Sequence, residues 1–244
     1  MNNFLSPRFF VVIHVQAMRN DKAALVHLLK ETEKCAMAEV SGVFLIPDYE
    51  NERNGYSLRA TSEDLIFYYL QVKKHFPSLK TGINFLKKIN SLDEDFQKRI
   101  KNINFEMIQT DSSFLDLEDF SGGRQTELFV ALAFKYSKYE KATGKELEAL
   151  CNAIPRKENI IPTTSGSATG NEANLEKITE IRKYISRDIR LGIASGINLQ
   201  NAATFLNLGV TDFLVATSLI VSKEHGFDIL SKSRMLDLKR IILG

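Results

Sequence analysis

Cysteine is scarce in this chain: Cys35 and Cys151 are the only two in 244 residues. Neither belongs to a CxxC pair and both fall inside apolar helical patterns. They read as small buried hydrophobes in a reducing, cytoplasmic setting rather than as a disulfide or metal framework. An excess of one charge is missing too. With 32 Lys and Arg against 30 Asp and Glu, the formal net charge of +2 gives no footprint for nucleic acid or a polybasic membrane surface. No apolar run approaches the roughly 20 residues of a membrane-spanning helix. The longest, LFVALAF at 128–134, is of strand length. The opening MNNFLSPRFFVVIHVQ lacks the basic start and small-residue cleavage site of a secretory signal and reads as a first strand. The histidines at 14, 27, 75 and 225 show no HxxxH spacing, so no metal constellation stands out. Walker A and dinucleotide glycine fingerprints are absent as well, and no cofactor is evident. A Mg²⁺ held by one or two carboxylates beside a substrate phosphate would leave little trace in a sequence.

What is present is a repeated switch between strand-like and helical apolar patterns. Strands are expected at 8–15, 42–47, 79–85, 104–110, 127–135, 159–163, 188–194 and 211–217. Helices are expected at 21–39 (with Asp21 as N-cap), 62–76, 91–102, 144–153, 171–185, 198–209 and 228–243. Between the fourth and fifth strands, DSSFLDLEDFSGGRQT leaves room for one short helical turn. Either the fourth helix is vestigial or the strand boundaries shift there. Alternating strands and helices call for a parallel sheet covered by helices. Eight units of about 30 residues use up the chain, close to the smallest closed barrel. The expected fold is α/β, a single (β/α)8 TIM barrel over residues 1–244, with a reduced fourth helix as one reading. No linker or composition shift marks a second domain.

In such a barrel the site is built where the strands end. The closing residues are His14, Asp48, Asn84, Asp111, Lys135, Thr164, Ser195 and Thr217. Seven of the 13 glycines fall in the last 84 residues, several just after strands. Small-residue loops leading into helix starts expose backbone N–H groups and make anion sites. A phosphate would therefore lie between Ser195, Gly196 and Ile197 on one side and Thr217 and Ser218 on the other. Thr164, Ser165 and Gly166 would line a third side. The alternative is that these loops are merely tight turns. Lys135 ends an apolar strand, where it either serves as a nucleophile or acid/base or snorkels to solvent. Asp111 is the carboxylate best placed for proton transfer, or else a turn-capping residue. His14 points into the mouth or away from it, and Asn84 is suited to donate to a substrate oxygen. Asp48 and Glu50 read as part of a solvated loop, and Tyr56, Tyr136 and Tyr139 as packing residues.

These residues also carry a family resemblance. The segments IIPTTSGSATGNEANLEKITEIRKYI and GIASGINLQNAATFLNLGVTDFLVATSLI resemble the C-terminal half of the BtpA family of TIM-barrel proteins. VVIHV, TGINFL, AFKY and MLDLKRII are similar to shorter elements of that family's first strand, third strand, post-strand-five segment and closing helix. The resemblance implies a barrel of the ribulose-phosphate-binding type, although the family is named for a role in photosystem I assembly. The sequence departs from the pattern at Ala194 and Ala216, where the family has glycine, and at Ile220, where it has lysine. An added methyl narrows the backbone's approach to an anion, and losing a lysine removes a point charge. Lys223 stands three residues further on. Two functions follow: an isomerase or aldolase/lyase-type enzyme acting on a small phosphorylated metabolite, or a non-catalytic BtpA-like assembly or binding factor that kept the barrel. Self-association stays open in both.

Overall fold

The computed structural model describes residues 5–17, 22–48, 60–86, 102–113 and 125–244. Eight strands close into a parallel barrel: β1 (Arg8–Val15), β2 (Gly42–Pro47), β3 (Thr81–Ile83), β4 (Met107–Ser113), β5 (Glu127–Ala131), β6 (Ile160–Ser165), β7 (Gly192–Ala194) and β8 (Asp212–Val215). β1 pairs with β2 on one side and β8 on the other, which leaves no sheet edge. Six α-helices are present among the described residues: α1 (Ala23–Met37), α2 (Ser62–His75), α3 (Gly144–Ala153), α4 (Leu175–Tyr184), α5 (Ala202–Asn207) and α6 (Lys232–Leu243). The expected helix at 91–102 and the short turn after β4 fall almost wholly outside the described residues.

Strand alternation divides the core in two. Phe9, Val11, Ile13 and Val15 of β1 face the helices, while Phe10 and Val12 face the barrel axis. Inside, Phe10, Phe44 and Phe129 meet edge to face with ring centroids 5.0–5.6 Å apart. Below them Arg8 closes the N-terminal end. Its guanidinium donates to Asp212 and, at 2.8 and 2.9 Å, to both carboxylate oxygens of Glu127. Lys80 and Arg190 complete this ion cluster, pairing with Glu127 at 2.9 Å and Asp212 at 3.3 Å. Burial works against ionised Glu127, but Lys80 and Arg8 outweigh it and hold its carboxyl below the usual range. Both cysteines are buried, and desolvation pushes each thiol up to about 12.

Local chemistry sets the element boundaries. α2 begins where Thr61 Oγ1 accepts from the Asp64 N–H at 3.1 Å and the Asp64 carboxylate accepts from the Thr61 N–H at 2.8 Å, a reciprocal capping box. The expected Asp21 cap lies outside the described residues; Lys22 occupies the cap position of α1 in a left-handed conformation and makes no side-chain cap. The fifth strand stops at Ala131, four residues short of the expectation, so Lys135 sits in the turn beyond it. The last helix also starts later than its pattern suggests. Residues 220–224 and 227–230 form an antiparallel hairpin, β9 and β10, and Ser231 caps α6 by accepting from the Arg234 N–H at 3.3 Å. The hairpin turns through His225 and Gly226 at φ 51° and 84°, positive at both central residues as in a type I′ turn.

Gly82 on β3 makes room for the aromatic trio. A Cβ there would lie 2.4 Å from the Phe44 ring, which Phe10 and Phe129 hold in place. Gly82→Ala is expected to lower stability by about 1–3 kcal/mol, the range for overpacking a core. Urea denaturation checks this, and adding Phe44→Leu should recover part of the loss.

Candidate functional site

A cleft open to solvent lies at the C-terminal mouth of the barrel. His14, Asn84, Gln109, Asp111, Lys135 and Ser195 all line it. These positions follow from alternation. His14 continues the inward series of Phe10 and Val12, Asn84 that of Gly82, and Gln109 and Asp111 that of Met107.

Asp111 has additional help. The β4–β5 register runs Thr110↔Val130 and then Ser113↔Ala131, so β4 bulges at Asp111 and Ser112. A bulge re-aims a side chain at a barrel rim. Asp111 Oδ1 accepts from Asn84 Nδ2 at 3.0 Å, while Asn84 Oδ1 accepts from the Leu86 N–H at 2.8 Å. Burial raises the Asp111 carboxyl above its ordinary value, partly offset by the Asn84 bond and the charge of Lys135. Lys135 Nζ donates to Ser195 Oγ at 3.0 Å and Thr169 Oγ1 at 3.1 Å. Burial pulls its ammonium below the usual lysine range, and Asp111 opposes that shift. The carboxyl is thus displaced upward and the amine downward, each toward its neutral form.

The β7 and β8 loops form the neighbouring wall. Ser195 and Gly196 both have positive φ, 77° and 67°, and a Cβ on Gly196 would lie 2.4 Å from the Asn171 backbone. Only glycine allows that approach. The Gly196 carbonyl accepts from Asn201 Nδ2 at 2.8 Å, which fixes the loop. Among the described hydrogen bonds, the backbone N–H groups of Gly196, Ile197 and Thr217 have no acceptor. Ile197 and Thr217 line the cleft; Ser218 instead donates to the Ile197 carbonyl at 2.6 Å and ties the two loops together. The expected third side is not at the surface of the cleft. Thr164 shares the outward side of β6 with Ile160, which packs in the helix-facing core. Ser165 is buried and accepts from the Lys135 N–H at 2.8 Å, and Gly166 packs on the Asn171 backbone. Thr169 and Gly170 supply that side of the lining instead. Behind them, Lys177 donates to the Ala133 and Ser165 carbonyls, and burial brings its ammonium down to about 8, with Glu140 opposing.

This arrangement can be set beside solved structures. Phosphoribosyl anthranilate isomerase from Thermus thermophilus matches 96% of this chain and 97% of its own, at TM-score 0.59 and 11% identity. N-acetylneuraminic acid synthetase from Leptospira borgpetersenii matches 99% of this chain and 87% of its own, at TM-score 0.63 and 12% identity. A KDPGal structure covers 96% and 91%, at TM-score 0.58 and 10% identity. The fold is a TIM barrel. No protein-family model and no curated protein matches the chain.

The TIM-barrel frame exposes three features that sequence reasoning missed. Gln109 is 4% exposed, lines the floor of the cleft, and its carbonyl oxygen has no hydrogen-bond partner. It stands two residues before Asp111 on one strand, and that spacing was the available signal. Asp228 Oδ2 of β10 lies 2.8 Å from His14 Nδ1, and Lys223 lies 3.5 Å from its other oxygen. Asp48, expected in a solvated loop, is buried at the end of β2; Glu50 and Tyr56 lie outside the described residues. Tyr136 is largely exposed rather than packed. Among the described residues no three His, Cys, Asp or Glu side chains cluster as a metal site, and no helix is long and apolar enough to cross a membrane.

The opposed shifts give a direct test. Because the Asp111 carboxylate supports the Lys135 ammonium, Asp111→Asn should lower the Lys135 titration midpoint further. The pH dependence of the Lys135 resonance after reductive ¹³C-methylation measures this; an unchanged or raised midpoint would separate the two groups.

Proposed function

We propose that the protein is a BtpA-type TIM barrel that binds a small phosphorylated metabolite, a sugar phosphate or nucleotide-like compound, at the barrel mouth. It acts there as an enzyme of the isomerase or aldolase/lyase type. The observation that carries this reading is the placement of Lys135. Its amine lies in the mouth between the hydroxyls of Thr169 and Ser195, on the same side as the N–H groups of Gly196, Ile197 and Thr217, which have no acceptor among the described residues. A phosphate would take those N–H groups, and the rest of the ligand would extend over the cleft floor toward Asn84, Gln109 and Asp111.

Burial gives Lys135 a larger share of free amine than an exposed lysine has, for proton transfer or for attack on a carbonyl carbon. Asp111, with its raised carboxyl, passes a proton in the other direction, and Asn84 keeps it aimed. Both groups are side chains, so this chemistry needs no cofactor. The BtpA resemblance supports the reading because the residues carrying it at His14, Asn84, Lys135, Ser195 and Gly196 come together on one cleft. Ala194 and Ala216 also line that cleft, so the ligand meets two methyl groups there.

A thermal-shift screen against phosphorylated metabolites tests the proposal. A ligand at 100 times its Kd stabilises by about 2.7 kcal/mol, which for a domain of this size raises Tm by about 5–10 °C. Ser195→Asp places a carboxylate beside the phosphate position and should abolish the shift. If no phosphorylated compound moves Tm, the phosphate reading falls. Borohydride trapping with a carbonyl-bearing hit then separates the two uses of the amine: adduct mass at Lys135 assigns Schiff-base chemistry, and its absence assigns proton transfer.

A further inference from the structure

The β9–β10 hairpin follows β8 and lies against β1 and α1, and its attachment is built from side chains. Gln16 Nε2 donates to the Gly226 carbonyl at 2.6 Å. His27 stacks on Phe227 with centroids 4.7 Å apart, and its Nε2 lies 3.0 Å from the Asp228 carbonyl. Glu31, fully buried, accepts from the Leu230 N–H at 2.8 Å, and Lys34 donates to the Leu230 carbonyl at 3.1 Å. Residues 27, 31 and 34 share one face of α1. That polar stripe fixes both ends of β10 and, with them, the position of Asp228.

Asp228 in turn meets His14. His14 Nδ1 is 2.8 Å from Asp228 Oδ2, and Lys223 Nζ is 3.5 Å from Oδ1, in ion-pair range. Burial works against the Asp228 carboxylate, but His14 and Lys223 outweigh it and hold the group below the usual carboxyl range. An ionised carboxylate only accepts hydrogen bonds, so the proton of this contact sits on Nδ1. In the neutral ring Nε2 is then the lone-pair nitrogen. Among the described residues it has no protein partner, and His14 lines the cleft. β1 and β5 are four strands apart in either direction around the closed barrel, so His14 and Lys135 stand on opposite walls of the mouth.

We infer that Asp228, carried by the hairpin, is a positioning residue that locks His14 in the Nδ1–H tautomer and makes His14 Nε2 a second proton acceptor, across the mouth from Lys135. Its ligand group is a hydroxyl, or a carbon acid beside a carbonyl. The Nε2 lone pair takes the proton, the bonding pair stays on the ligand as an alkoxide or enolate, and the imidazolium returns the proton when the ligand rearranges. Asp228 stabilises the imidazolium in between. The inference rests on the mouth being a reaction site, as proposed above, but its test does not depend on phosphate.

Ring ¹⁵N NMR of full-length protein labelled with ¹⁵N-histidine, above the pH at which imidazoles are neutral, reads the tautomer directly. His14→Gln assigns the resonances. The expected result is a pyrrole-like Nδ1 and a pyridine-like Nε2 in wild type. Asp228→Asn keeps the shape of the side chain, but its amide oxygen pairs with Lys223 and turns the NH₂ toward His14. The tautomer should therefore reverse to Nε2–H. A pyrrole-like Nε2 in wild type overturns the inference, as does an unchanged tautomer in a folded Asp228→Asn protein. The wild-type measurement stands even where the variant fails to fold. A pyridine-like Nε2 without any phosphate-induced Tm shift retires the phosphate reading and keeps the His14–Asp228 pair.

Discussion

Three phenylalanine rings in the barrel, Phe10, Phe44 and Phe129, set the conditions for everything above and below them. Edge-to-face packing at 5.0–5.6 Å fills the lower interior. Arg8 lies over two of these rings, 5.1 Å from the Phe10 centroid and 5.9 Å from that of Phe129, and anchors the ion cluster at the closed end. Above the rings the inward series turn polar: at Asn84 after Gly82, at Gln109 and Asp111 after Met107, and at His14 after Val12, so the chemistry collects at the open end.

Most of this frame was legible in the sequence, because alternation and helical periodicity are local. β1, β2 and α3 run over the residues their patterns indicate, and α2 differs by one. The inward positions of His14, Asn84 and Asp111 follow from the same rule. Thr164 shows its limit: the loop glycines drew attention to 164–166, yet strand parity puts Thr164 on the helix side. Counting back by two from an established inward residue would have removed it and found Gln109.

The hairpin was not legible, for a physical reason. Asp-Ile-Leu-Ser at 228–231 continues smoothly into the apolar pattern of α6, so periodicity alone extends the helix backward. What overrides it is non-local. The partners of β10 are His27, Glu31 and Lys34, about 200 residues away on α1. The only trace they leave is a polar stripe on a helix whose other inward residues are small or apolar. The bulge in β4 was equally hidden, since it is defined by register against β5 and not by residue type.

Strand β4 has a consequence of its own. Met107 faces the aromatic interior, Gln109 and Asp111 face the cleft, and Asp111 is held by Asn84 of the neighbouring strand. One short stretch of chain thus carries the whole change from core to mouth. Slipping this strand by a single residue would turn all three side chains to the helix side at once, so the pairing register is what keeps the polar groups at the open end.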